Sequence, residues 1–223
     1  MNPLIVIDLE TGGFFKEKNP ITEIAFSVVD MKTMKIIETY QNYVKPYDGL
    51  IIEKDALDST QLTMKEINGG ISIDKMLQDF AGIMTKHKKS RSTAPILVGH
   101  NLDHFDLPYL EYTFSQRNKN IYDYIDESTF DTIKLAKMYE RSIPGADKFK
   151  YKLEIVCERY EIKLTGAHGA AADVDATYRL FKTLMKNYKH GGERNSRILD
   201  AQEIPTKSRK FFEFSYNRKD IHK

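Results

Sequence analysis

Four carboxylates and one histidine, carried by three short motifs, are the residues of this chain whose types and spacing could do chemistry together. The motifs are Asp8-Leu9-Glu10-Thr11, Asn101-Leu102-Asp103-His104-Phe105-Asp106 and His168-Gly169-Ala170-Ala171-Ala172-Asp173. Asp8 and Glu10 follow the apolar run Leu4-Ile5-Val6-Ile7. Strand side chains alternate faces, so two residues two apart point the same way. Paired carboxylates repel unless a cation lies between them, and an all-oxygen site suits a hard ion such as Mg²⁺ or Mn²⁺. The competing reading is an ordinary carboxylate pair in a turn. Asp106 leaves a second strand and begins a helix, the end of a strand where α/β sheets place ligands. It could equally cap the helix that starts at Leu107-Pro108, and the two roles are compatible. Asn101 could donate to a substrate phosphate or sugar, or stabilise its own loop. Asp173 falls in the first turns of a long helix, where the helix dipole favours an anion, with His168 on the loop before it.

The elements that must position these residues follow from hydrophobic patterning. The run ending at Asp8 is apolar throughout, as for a strand buried on both faces. Segments 21–29 and 35–44 read as second and third strands, and their short links favour antiparallel pairing. Segment 47–70 is polar and broken, with short helical turns. Met76, Leu77, Phe80, Ile83 and Met84 have helical spacing within 73–87. Residues 95–99 form a short buried strand and 106–116 a helix. Residues 128–133 form a brief strand that passes into a helix through Tyr139. Helices over about 152–160 and 169–188 complete the pattern. Three strands followed by alternating helix and strand predict an α/β fold: a central mixed five-stranded sheet, its first three strands antiparallel, flanked by helices. One domain over 1–190 and a basic, aromatic-containing tail or appendage over 191–223 are expected. In the tail Phe211, Phe212, Phe214 and Tyr216 stand out, favouring docking on the domain's own surface.

Bulk properties exclude little. With 41% hydrophobic and 30% charged residues the 223-residue chain is an ordinary globular protein. No apolar run approaches the roughly 20 residues of a membrane span, and strand begins at once where a signal peptide would lie. A cytoplasmic, intracellular protein is the expectation, with the one cysteine, Cys157, a small buried core residue. Net charge is +2, but Lys86, Lys88, Lys89 and Arg91 cluster, either as a phosphate-attracting patch or as a solvated face. His100 and His104 fit loop hydrogen bonding better than substrate contact. Asp131 and Asp175 fit local caps or supporting groups.

The three motifs resemble those of the DEDDh exonucleases, the DnaQ-like group of the ribonuclease H-like superfamily, which includes the proofreading subunit of bacterial DNA polymerase III. Asp8-Leu9-Glu10-Thr11 is similar to the first exonuclease motif. Gly99-His100-Asn101 through Asp106-Leu107-Pro108-Tyr109-Leu110 is similar to the second, and His168 through Asp173 to Asp175-Ala176-Thr177 to the third. The likeness covers about residues 1–188. The related tyrosine subgroup places its base four residues before the last aspartate, and Gly169 stands there, so the histidine version fits. Gly12 replaces a threonine common in the first motif.

The resemblance implies a ribonuclease H-like fold and a 3′–5′ exonuclease with two divalent ions, Mg²⁺ or substituting Mn²⁺. Asp8 would bridge the ions. Glu10 and Asp173 would complete the site of the attacking water, and Asp106 would serve the second ion largely through water. His168 would be the general base and nucleoside 5′-monophosphates the product. Thr11, Gly12, Phe14, Phe15, Asn101 and Phe105 would meet the substrate, with Phe14 or Phe15 stacking on the terminal base. The expected partner is nucleic acid with a free 3′ end, single-stranded DNA first and RNA second, together with a DNA polymerase or replication partner and no membrane. The rival readings are an RNase H-type endonuclease or resolvase, and a silent nucleic-acid-binding or polymerase-tethering module.

Overall fold

Four consecutive apolar residues, three of them β-branched, suit a strand covered on both faces. In the computed structural model they open β1 (Leu4–Thr11), the strand on which the fold is organised. The structure describes residues 2–60, 62–88, 90, 93–141, 143–164 and 169–190, with side chains as far as residue 186. β1 pairs antiparallel with β2 (Ile21–Asp30), and β2 antiparallel with β3 (Lys35–Lys45). On its other edge β1 pairs in parallel with β5 (Ile96–Gly99), and β5 in parallel with β6 (Thr129–Asp131). The mixed sheet and the antiparallel first three strands are as the pattern predicts.

The strand count needs a correction. Among the described residues six strands, not the five expected, run in the order β4 (Ile71–Ser72), β3, β2, β1, β5, β6. The addition, β4, is two residues long and pairs in parallel with Val44 and Lys45 of β3. Two residues carry no periodicity, and Ser72 at once caps the next helix by accepting from Lys75 N at 3.2 Å.

Helices cover both faces. α1 (Lys54–Thr60) and α2 (Met64–Asn68) are the short turns of the polar stretch. α3 (Ile73–His87) and α4 (Asp106–Ser115) pack on one face, where Ile5, Ile7, Leu9 and Phe26 meet Phe80, Leu110 and Phe114. α5 (Thr132–Glu140), α6 (Leu153–Arg159) and α7 (Ala170–His190) cover the other, where Leu4, Val6, Ala25 and Val29 meet Leu135, Val156 and Phe181. Cys157 lies fully buried in this second core, and burial pushes its thiol up to about 11. Alternation along β1 therefore sends odd residues to α3 and α4. Even residues face α5 to α7, and Asp8 and Glu10 continue that even set.

Among the described residues no helix is long and apolar enough to cross a membrane. Two cations of the basic cluster are engaged within the domain. Lys86 Nζ meets Glu38 Oε2 at 2.9 Å, and Lys88 Nζ donates to the Asp123 carbonyl. Lys89, Arg91 and the tail residues Phe211, Phe212, Phe214 and Tyr216 lie outside the described residues.

Phe80 is fully buried and meets the Phe26 and Phe114 rings edge-on at 5.8 and 5.7 Å. Phe80→Ala should therefore cost about 3–5 kcal/mol. Urea denaturation should show a lower midpoint with an unchanged slope.

Candidate active site

The sheet delivers the acids from three elements. Asp8 and Glu10 close β1, and Asp173 sits in the first turn of α7. Carboxylate oxygens of these three residues all lie within 4.8 Å of one another. The first turn of α7 is closed by Ala172 N and Asp173 N, which donate to the Gly169 carbonyl at 3.0 and 3.1 Å. Gly169 and Ala170 leave room for the helix to approach β2 closely. Ala170 is fully buried, and its N–H donates to Glu23 Oε2 at 3.3 Å.

Asp106 arrives differently from the helix cap that its sequence context suggests. Phe105 occupies the N-cap position without a side-chain cap bond. The Asp106 carboxylate reaches back to β1 instead, where Oδ1 accepts from Leu9 N at 2.9 Å. The physical reason lies in the sheet: β5 pairs with β1 only through Leu4, Ile5 and Val6. Beyond Val6 that edge of β1 needs another acceptor, and a buried N–H without one is costly. Asp106, 2% exposed, supplies it between the two acids of β1. The loop before it is held by Asp131, which caps α5 through Ile133 N at 2.9 Å and also accepts from Asn101 N and Asp103 N at 3.2 and 3.3 Å.

Burial, with crowding behind it, raises the proton affinity of Asp8, Glu10 and Asp106. The Asp8 carboxyl is pushed well up, by burial first and then by the charges of Asp106, Glu10, Asp173 and Glu23. Glu10 is raised to about 8 by burial, then by Asp173, Glu23 and Asp106. Asp106 is raised to about 7 by burial, against the pull of the N–H groups it accepts from. Crowded carboxylate oxygens that resist ionising together fit a hard divalent cation, whose charge removes the conflict. Asp8, Glu10 and Asp173 are the residues placed to hold one, with Asp106 beside them.

The residues expected to meet substrate divide into two groups. Phe14 and Phe15 stand 82% and 61% exposed, and Phe14 meets the half-buried Phe105 edge-on at 6.3 Å. This gives an apolar ledge on the loop just after Glu10 and the residue just before Asp106. Thr11, Gly12 and Asn101 each hold a hydrogen bond within the protein, Asn101 through its backbone alone. Thr11 Oγ1 donates to the Gly13 carbonyl at 2.7 Å. Gly12 N donates to Pro20 O at 2.8 Å, and Gly12 O accepts from Glu53 N at 2.7 Å. A side chain at Gly12 would meet Pro20 Cδ at 2.9 Å and Ile51 O at 3.0 Å, which leaves no room for the family's threonine. Asn101 is exposed, with φ of 65°, and its carbonyl accepts from Phe105 N at 3.0 Å.

Three supporting residues escaped the sequence reading. Asn19, 2% exposed, ties the aromatic loop down: its Oδ1 accepts from Phe15 N at 2.9 Å, and its Nδ2 donates to Ile51 O at 2.9 Å. Tyr109 donates its hydroxyl to Gly13 O at 2.6 Å. Glu23 is a buried acid in a largely apolar strand, and that contrast was its only signal. His100 is structural, as expected: Nδ1 lies 2.8 Å from Thr132 Oγ1 and Nε2 lies 2.8 Å from the Tyr151 carbonyl. His104 is exposed, and His168 lies outside the described residues.

A protein-family model described as Exonuclease matches residues 5–181. The chain belongs to that exonuclease family. It is a DnaQ-like exonuclease domain of the DEDDh kind, a hydrolase with a ribonuclease H-like fold. Among curated proteins it is similar to the PolC-type DNA polymerase III of Lacticaseibacillus paracasei, 26% identical over 185 residues that cover 82% of this chain and 11% of that protein. Among solved structures it is similar to E. coli Exonuclease I in complex with a dT13 oligonucleotide, with a TM-score of 0.68 and 21% identity over 90% of this chain and 43% of that one. The zinc-bound form of the E. coli Exonuclease I–ssDNA complex gives a TM-score of 0.72 and 20% identity over the same shares, 90% and 43%. This exonuclease domain thus spans 11% of the polymerase relative and 43% of each Exonuclease I chain; the structural likeness concerns the fold.

The proton affinities set a testable sign. A carboxyl whose folded pKa is raised binds a proton that the unfolded chain has released, so stability falls as pH rises toward the folded value. Metal-free protein should lose thermal stability from pH 5 to pH 8, through the range of Glu10 and Asp106. Mn²⁺ should restore more stability at pH 8 than at pH 6, because it competes with those protons. Scanning calorimetry in EDTA and in Mn²⁺ checks both; a flat EDTA profile would contradict the crowding.

Proposed function

We propose that this domain removes nucleotides one at a time from the 3′ end of DNA, preferring single strands, with two divalent ions, Mg²⁺ or Mn²⁺, and His168 as general base. The observation that carries the reading is the meeting of Asp8, Glu10 and Asp173 within 4.8 Å. Asp8 and Glu10 would hold the ions together with Asp173 and Asp106. When bound, the ions would neutralise these acids and supply Lewis-acid activation of the phosphodiester and the attacking water. His168 stands five residues before Asp173 in the sequence and has an unperturbed pKa of about 6.5, suited to taking a proton near neutral pH. Water oxygen bonds to the terminal phosphorus as His168 takes its proton, and the O3′ of the penultimate nucleotide leaves. A nucleoside 5′-monophosphate is released. Phe14, exposed on a loop that Asn19 ties down, offers a ring on which any terminal base can stack, a contact indifferent to sequence.

DNA is favoured over RNA because the Exonuclease I structures of the same fold hold dT13 and single-stranded DNA. The PolC-type relative motivates a replication setting, with a polymerase as a partner. The tail 191–223 is proposed as an appendage to the 1–190 domain.

Digestion of 3′-labelled linear DNA, duplex DNA, circular single-stranded DNA and short RNA in Mg²⁺ and in Mn²⁺ tests the reading. Linear single strands should yield mononucleotides fastest and circles none. Faster digestion of RNA would assign the exoribonuclease reading. Cutting of circles would assign an endonuclease, and binding without release a silent module. His168→Ala should lower kcat by about 10²–10⁴, and Asp8→Ala or Asp173→Ala should abolish turnover. Full activity in EDTA would exclude the metal-assisted mechanism. Phe14→Ala should raise KM by about 5-fold or more, in keeping with about 1–3 kcal/mol per stacked base.

A further inference from the structure

A fifth carboxylate lies among the acids and has no part in the chemistry above. Glu23 is 1% exposed and stands directly opposite Glu10 in the β1–β2 register. Directly opposed strand residues share a face, and like charges there are destabilising. Glu23 keeps its place through two hydrogen bonds, one to each oxygen. Oε1 accepts from Gln41 Nε2 at 2.6 Å, and Oε2 accepts from Ala170 N at 3.3 Å.

The second bond crosses 147 positions of sequence to reach the first residue of α7. N–H groups of a helix's first turn have no acceptor within the helix, and a carboxylate is the acceptor that the dipole favours. Ala170 is fully buried, so water cannot take over if the carboxylate is lost. Asp173 stands three residues on, one turn along the same side of α7. A shift of the first turn thus moves the acid that must meet Asp8 and Glu10.

We propose that Glu23 is a positioning residue: it pins the first turn of α7 to β2 and thereby sets Asp173 against Asp8 and Glu10 for cation binding. This rests on the reading that those three acids hold a divalent cation. Glu23 is no ligand itself, since both its oxygens are committed to protein donors and the tight oxygen group comprises Asp8, Glu10 and Asp173.

The experiment measures Mn²⁺ binding by calorimetry, without substrate, on the full chain and on Glu23→Ala and Glu23→Gln. Amide exchange across α7 is followed in parallel on metal-free protein. Alanine removes the acceptor; glutamine keeps an oxygen for Ala170 N while losing the charge. Glu23→Ala should weaken Mn²⁺ binding by about 10-fold or more, the scale of losing a group that orients a ligand, and Glu23→Gln should stay within about 3-fold. Exchange at the first turn of α7 should quicken in Glu23→Ala only, with the Leu180–Phe181 region unchanged. Equal weakening in both variants would assign the effect to charge and overturn the proposal, as would wild-type binding and exchange in Glu23→Ala. If Glu23→Ala does not fold, Gln41→Leu strips Glu23 of one partner and should move both readouts the same way; no change there would overturn the proposal. Absence of Mn²⁺ binding by the unmodified chain would defeat the metal reading and this inference with it. Wild-type binding with an unmoved Glu23→Ala would defeat the inference alone.

Discussion

Like charges forced together on half-buried side chains, with two more acids buried beside them, are the constraint around which this domain is built. At an effective dielectric of about 20, two unit charges some 4 Å apart repel by roughly 4 kcal/mol. Asp8, Glu10 and Asp173 form three such pairs, and Asp106 and Glu23 add their charges. No local preference of the chain would gather them. What holds them is the apolar burial around β1, whose alternate residues feed two separate cores. Repulsion kept in place by the fold is a standing affinity for a compact positive charge, and it adds to burial in raising the proton affinities of Asp8 and Glu10.

The sheet's irregularities serve the same end. β5 stops short of the tip of β1, so the last amides of β1 look for partners outside the ladder. Asp106 answers for Leu9, and the acid that satisfies the backbone is thereby drawn between its neighbours. On the opposite edge the β1–β2 register slips between Glu10 and Thr11. The chain leaves the sheet there into the loop that carries Phe14 and Phe15, tied by Asn19 to residues 51 and 53. Asp8, Glu10, Phe14 and Phe15 thus come from one continuous stretch of eight residues, which Phe105, Asp106 and Asp173 join from other elements.

The parts of this design that were legible in the sequence are those governed by near neighbours. The alternation that puts Asp8 and Glu10 on one side, the amphipathic spacing of 73–87 and the helix entry at Asp173 each depend on a few adjacent residues. The placement of Cys157 in a core and of His100 in a loop network likewise followed from local context. The failures have long-range causes. β4 exists because Val44 and Lys45 come alongside Ile71 and Ser72. The bond of Asp106 to β1 could not be read because its partner, Leu9, is 97 positions away. Glu23 and Asn19 passed as unremarkable polar residues because their partners come from other elements, α7 and β3 for one and residues 51 and 53 for the other.

Burial of β1 on both faces has a consequence for how the domain can come apart. A strand shared by two cores cannot peel away from one of them without uncovering the other, so its opening is tied to the unfolding of the whole unit. Asp8 and Glu10 inherit that cooperativity. Asp8 and Glu10 are as durable as the fold itself, whereas Asp173 sits in a first turn whose hold on the sheet includes the single Glu23–Ala170 bond. Ageing, heat or a weakening substitution should therefore silence this domain at the first turn of α7 well before the sheet gives way.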